Sequence, residues 1–116
     1  MIFHITTDEA WQKALEGNSY RGDTLQTDGF IHCSRSEQIL NTANTFFAGK
    51  TGLVLLCIDE SRVRNEIRYE DCYHAGETFP HIYGPLNLDA VTQTAAFPPD
   101  ADGTFSFPEI LKGLCP

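Results

Sequence analysis

The stretch FHITTDEAW, residues 3–11, has an echo in FIHCSRSEQ, residues 30–38. Both read apolar–His–x–Ser/Thr–x–x–Glu. MIFHIT has the β-branched and aromatic content of a strand. Thr6 followed by Glu9 makes a capping box, and Asp8 and Glu9 suit the positive end of a helix dipole. Ala10, Trp11, Ala14 and Leu15 then mark one helix face, which Gly17 ends. In the echo, GFIHCS is a short strand, and Ser34 with Glu37 repeats the capping box. The helix it opens, RSEQILNTANTFFAG, places Ile39, Leu40, Ala43, Phe46 and Phe47 at helical spacing. A histidine thus closes a strand just ahead of each helix start.

Between the echoes, NSYRGDTLQTDG reads as turns. LVLLCID is apolar throughout, which suits a central strand covered on both faces. EIRYEDC alternates as a half-exposed strand does, and HAGE turns. TFPHIYGPLNLDAVTQTAAF supplies two strands interrupted at Gly84-Pro85. FPEILKGL, with Pro108 in its first turn, reads as a short terminal helix. Helices come early and strands late, an order that predicts an α+β fold.

The chain has 116 residues, 41% of them hydrophobic and 21% charged, with a net charge of −8. One domain, residues 1–116, is expected, large enough to fold without staples. The acidity and the eight Lys and Arg residues argue against nucleic acid or an anionic membrane as partner. A small anionic or nucleotide-like ligand held locally remains in keeping with the charge. The four cysteines form no C-x-x-C pair, no secretory leader or targeting signal is evident, and no apolar run spans a bilayer. A reduced, cytoplasmic protein is expected.

Helix N-termini attract anions, and a histidine at the end of the preceding strand can donate to phosphate or ribose or exchange protons near neutrality. His4 and His32 are therefore candidates for one cleft, with Thr6 and Ser34 beside them. Arg21 and Arg35 are candidate bidentate donors to phosphate. His81 and Tyr83, in PHIYGPL, are candidate pocket walls. Arg62, Arg64 and Arg68, interleaved with Glu60, Glu66 and Glu70, read as a solvated ion-pair face, and His74 reads as solvated. The spacing of His4, His32 and His81 matches no metal motif, and no metal site is expected. Cys33 and His32 alternate in a strand and point to opposite faces, which argues against a Cys–His nucleophile. Capping boxes and strand histidines also serve purely structural ends, so a protein-interaction domain with structural histidines stands as an alternative.

The segments FHITT, DGFIHCS, LVLLCID and ETFPHIYGPLNLDAV resemble the bacterial family called domain of unknown function 952, over about residues 2–97. Residues 98–116 are an extension outside the matching blocks. The family's fold is similar to that of ADP-ribosyltransferases. The resemblance implies a split, twisted, mixed or antiparallel sheet with two main helices, and NAD as a substrate. It also implies that His4 holds a ribose, that His32 lies near the position of the aromatic residue that stacks on nicotinamide, and that a carboxylate on a later strand drives transfer. Glu70 and Glu77 lie upstream of PHIYGPL, and Glu70 is taken with His32 as the candidate catalytic pair. The expected function is binding of NAD or another ADP-ribose- or phosphate-containing ligand, with ADP-ribosyltransferase-like transfer. The alternative is a non-catalytic nucleotide or phosphometabolite module.

Overall fold

A computed structural model describes residues 1–72 and 74–112. Its class is α+β. Strands β1 (Ile2–Thr7), β2 (Ile31–His32), β3 (Ser34–Arg35), β4 (Leu53–Ile58), β5 (Ile67–Glu70), β6 (Phe79–Ile82) and β7 (Val91–Ala96) alternate with helices α1 (Asp8–Gly17), α2 (Thr24–Asp28) and α3 (Ile39–Phe46). The strands form two sheets, one ordered β3-β1-β4-β7 and the other β2-β6-β5. Every pairing among the described residues is antiparallel, so of the mixed and antiparallel alternatives the antiparallel one holds.

The apolar run 53–58 is a central strand, between β1 and β7, with all six residues buried. Its two faces enter two cores. Val54, Leu56 and Ile58 pack with Ile2, with Trp11 and Ala14 of α1, and with Ile31 and Ile82 of the second sheet. Leu53, Leu55 and Cys57 pack with Phe3 and Ile5 and with Ile39 and Ala43 of α3. The C-terminal extension completes this second core, where Phe105 and Leu111 are buried. The Phe105 amide donates to Asn44 Oδ1 at 2.8 Å, and Phe107 meets the Phe3 ring edge-on.

The segment expected as one strand, GFIHCS, contributes to both sheets. Ile31 and His32 pair with Ile82 and His81, whereas Ser34 and Arg35 pair with Phe3 and Ile2. Cys33 lies at the crossing, its amide bonded to the Pro80 carbonyl. Because β3 covers only Ile2 and Phe3, residues 4–7 of β1 have no strand neighbour on that side among the described residues.

The two capping boxes are both corrected. Thr6 faces inward, so the next residue, exposed Thr7, caps α1 by accepting from the Ala10 amide at 3.0 Å. Ser34 is a strand residue whose hydroxyl meets Thr42 Oγ1 at 3.1 Å. Glu37 turns back to Arg35, and α3 starts only at Ile39. Gln38 holds that start instead. Its side-chain oxygen accepts from the Arg35 amide, and its nitrogen donates to Glu77 and to the Thr78 carbonyl.

Three smaller expectations also change. The turn-like segment 18–29 contains α2. FPEILKGL forms a 3-10 turn at Glu109–Leu111 in place of a helix, with Pro108 at its N-cap; its last residues, and Cys115, lie outside the described residues. Arg64 pairs across to Asp89 at 3.0 Å, while Arg68 keeps its neighbour Glu66.

Gly84 has φ of 149°, and a Cβ there would lie 2.5 Å from Asn65 Cγ. The Asn65 amide is held by the Pro85 carbonyl at 2.7 Å. Gly84→Ala therefore costs about 1–3 kcal/mol of stability through strain and a displaced hydrogen bond. Chemical denaturation showing no loss would contradict this.

Candidate functional site

Alternation along β1 sends His4 and Thr6 to the side that faces the second sheet. There His4 Nδ1 donates to the His32 carbonyl at 2.5 Å, and Nε2 meets the Tyr20 hydroxyl at 2.6 Å. A carbonyl can only accept, so Nδ1 carries the proton and Nε2 accepts from Tyr20. The Thr6 hydroxyl also hydrogen-bonds the Tyr20 oxygen. Burial lowers the His4 pKa to about 4, against the partly offsetting bond to the His32 backbone. Burial likewise raises Tyr20 to about 12. His4 is therefore a neutral imidazole with both nitrogens engaged. It ties β1 to β2 and to Tyr20, which is itself bridged to Leu86.

This knot forms part of the wall of a cavity of about 500 Å³ along the uncovered edge of β1, within the size range of small-molecule sites. His4, Thr6, His32 and Ser34 line it. Phe3, Ile5, Phe46, Phe47 and Phe79 supply apolar wall, and Thr7, Thr24, Thr42 and Thr45 supply hydroxyls. Asp23 is the one carboxylate, and no Lys or Arg belongs to the lining, among the described residues. His32 is partly exposed, its Nε2 2.8 Å from Asp28 Oδ2.

The remaining candidates lie elsewhere. Arg21 lines a smaller adjoining hollow of about 240 Å³ that shares Ala10, Tyr20 and Asp23 with the cavity. Arg35 is bound to Glu37 at 2.6 Å and to the Thr78 carbonyl at 2.9 Å. His81, Tyr83 and Glu70 lie on the second sheet, outside the cavity lining. His81 is fully buried, with Nδ1 3.0 Å from Glu70 Oε1 and its ring stacked on Phe30 at 4.1 Å. Tyr83 donates to the same Glu70 oxygen, and the Arg68 guanidinium covers the Tyr83 ring at 4.3 Å. The Tyr83 and His81 hydrogen bonds hold the Glu70 carboxyl below its usual range. Burial lowers His81, although Glu70 opposes it.

His32 and Glu70, the expected catalytic pair, are linked only indirectly. The His32 ring lies 5.2 Å from that of His81, which contacts Glu70. Sequence reasoning missed Tyr20, Asp23 and Thr42. Tyr20 and Asp23 sit in a segment that reads as turns, and Thr42 on a helix whose apolar residues drew the attention. Gln38, which positions the start of α3, was also missed.

These features define a class: a two-sheet α+β domain with a ligand-sized cleft at the edge where the sheets part. The chain belongs to the family described as "Protein of unknown function (DUF952)", whose model matches residues 5–94. Among solved structures it is similar to protein CC0527 from Caulobacter crescentus. The crystal structure of that protein is 33% identical, with a TM-score of 0.82, covering 90% of this chain and 92% of the other. Its solution NMR structure is 32% identical, with a TM-score of 0.78, covering 95% and 92%. No curated protein matches. No helix among the described residues is long and apolar enough to cross a membrane.

Proposed function

We propose that the cavity binds the nucleoside portion of a ligand such as NAD or ADP-ribose, and that binding is its role. The observation that carries this reading is the cavity itself: apolar and aromatic walls, many hydroxyls and, among the described residues, one carboxylate and no cation. Such a lining suits a base and a ribose better than a phosphate. The Asp23 carboxylate is an acceptor for a ribose diol. A pyrophosphate passing Tyr20 and Asp23 enters the adjoining hollow, where Lys13 and Arg21 supply positive charge. His4 shapes the wall and does not exchange protons, because both of its nitrogens are used.

Group transfer is the second reading. The split into two antiparallel sheets is what supports this reading. The contact path from His32 through His81 to Glu70 supports it further.

Calorimetric titration with NAD, ADP-ribose, adenosine and inorganic phosphate tests both. Binding of the first three and no binding of phosphate is the expected result. Asp23→Asn weakens adenosine binding about 10- to 100-fold, the worth of one charged hydrogen bond, with an unchanged melting temperature. Failure of all nucleosides to bind ends the proposal. Nicotinamide release from NAD that Glu70→Gln abolishes would replace binding by transfer.

A further inference from the structure

On the second sheet, three different donor types converge on one point. Glu70 Oε1 lies 3.0 Å from His81 Nδ1, and Cys72 Sγ lies 3.9 Å from the same nitrogen. All three donor atoms fall within 4.8 Å of one another. We propose that Glu70, Cys72 and His81 form a binding site for a divalent transition-metal ion, with zinc the best match.

The geometry separates this reading from two others. In a nucleophile–base–acid triad, the thiol and the carboxylate sit on opposite nitrogens of the imidazole. Here both approach Nδ1, which is the arrangement of ligands around a shared centre. A plain carboxylate–histidine pair accounts for Glu70 and His81 but gives Cys72 no part.

Zinc takes Cys sulfur at about 2.3 Å and His nitrogen or carboxylate oxygen at about 2.0–2.2 Å. Tetrahedral angles then separate N from O by about 3.3 Å and S from N by about 3.6 Å. The observed N–O and S–N separations, 3.0 and 3.9 Å, each differ from these by about 0.3 Å. A mixed sulfur, nitrogen and oxygen set favours zinc or cobalt over magnesium or calcium.

The surroundings hold the donors in place. His81 is fully buried, and its ring is fixed by the stacked Phe30. The Tyr83 hydroxyl bonds Glu70 and orients the carboxylate, the service that outer groups perform at metal sites. Cys72 is exposed and Glu70 partly so, which opens the site to solvent. Three protein donors leave a fourth position for water or another ligand.

The test is titration of the reduced, full-length protein with cobalt(II), followed by competition with zinc. The expected result is one equivalent bound, with a thiolate-to-cobalt charge-transfer band. Cys72→Ser removes that band and weakens zinc binding about 100-fold or more, and Tyr83→Phe weakens it about 10-fold. Cys115→Ser retains the band and the affinity. Asp23→Asn also retains them, so failure at the cavity and failure here are told apart. A buried His81 variant is avoidable, because Cys72 lies at the surface. Zinc binding unaffected by Cys72→Ser, binding that depends on Cys115, or no binding below millimolar zinc overturns the site.

Discussion

His4→Ala lowers the free energy of unfolding at pH 7 by roughly 3–5 kcal/mol. The substitution takes away the acceptor of the buried Tyr20 O–H and a donor to the His32 carbonyl, at about 1–3 kcal/mol for each buried hydrogen bond removed on one side only. The vacated ring volume adds a cavity term. The same histidine makes the fold sensitive to acid. Its pKa is about 4 when folded, against 6.5 as the ordinary value. The unfolded chain therefore takes up this proton first. The stability tied to neutral His4 is complete above pH 6.5 and is lost as the pH falls through 4. Between pH 7 and pH 4.5 that loss is roughly 2–3 kcal/mol. His4→Gln keeps a donor for His32 but has no proton to gain. Urea unfolding of this variant should lack the His4 share of the acid loss. An unchanged acid slope would show that His4 is not the neutral group described.

Leu56→Ala removes about 2–5 kcal/mol. Leu56 is fully buried in the middle of β4, facing α1 and the second sheet. Few backbones can close a gap there, because strands flank β4 on both sides. A domain of this size loses about 4 °C or more per kcal/mol, so its melting temperature falls by about 10 °C or more. Leu15, at 49% exposure on α1, is the internal control. Its replacement by alanine changes stability by about 0.5 kcal/mol or less. Comparable losses at the two positions would mean that β4 is not the shared centre of both cores.

What the sequence discloses follows from the range of each force. The central strand was legible because six successive apolar residues need cover on both faces. α1 was legible because Trp11 and Ala14 repeat at helical spacing and Thr6 with Glu9 marks the start to within one residue of the actual cap, Thr7. The second echo misled. Ser34 and Glu37 have the composition of a cap, but Phe3 recruits Ser34 into a strand pair, and long-range pairing overrides the local signal. Convergence of His4 and His32 on one cavity was anticipated. That their link runs through a ring nitrogen and a backbone carbonyl was not, since neither partner of such a contact is marked by spacing. Tyr20 was hidden for the same reason. Its role depends on a bridge to Leu86, sixty-six positions away.

The crossing at Cys33 makes residues 31–35 a common border of both sheets. A hinge usually lets two bodies move while each keeps its own hydrogen bonds. Here the border residues supply rungs to both ladders, so prising the sheets apart breaks pairs on one side or the other. His32, Cys33 and Ser34 of this border belong to the cleft's lining, so part of its wall is set by backbone pairing. Under the proposed binding role, a guest meets a border that backbone pairing has fixed beforehand.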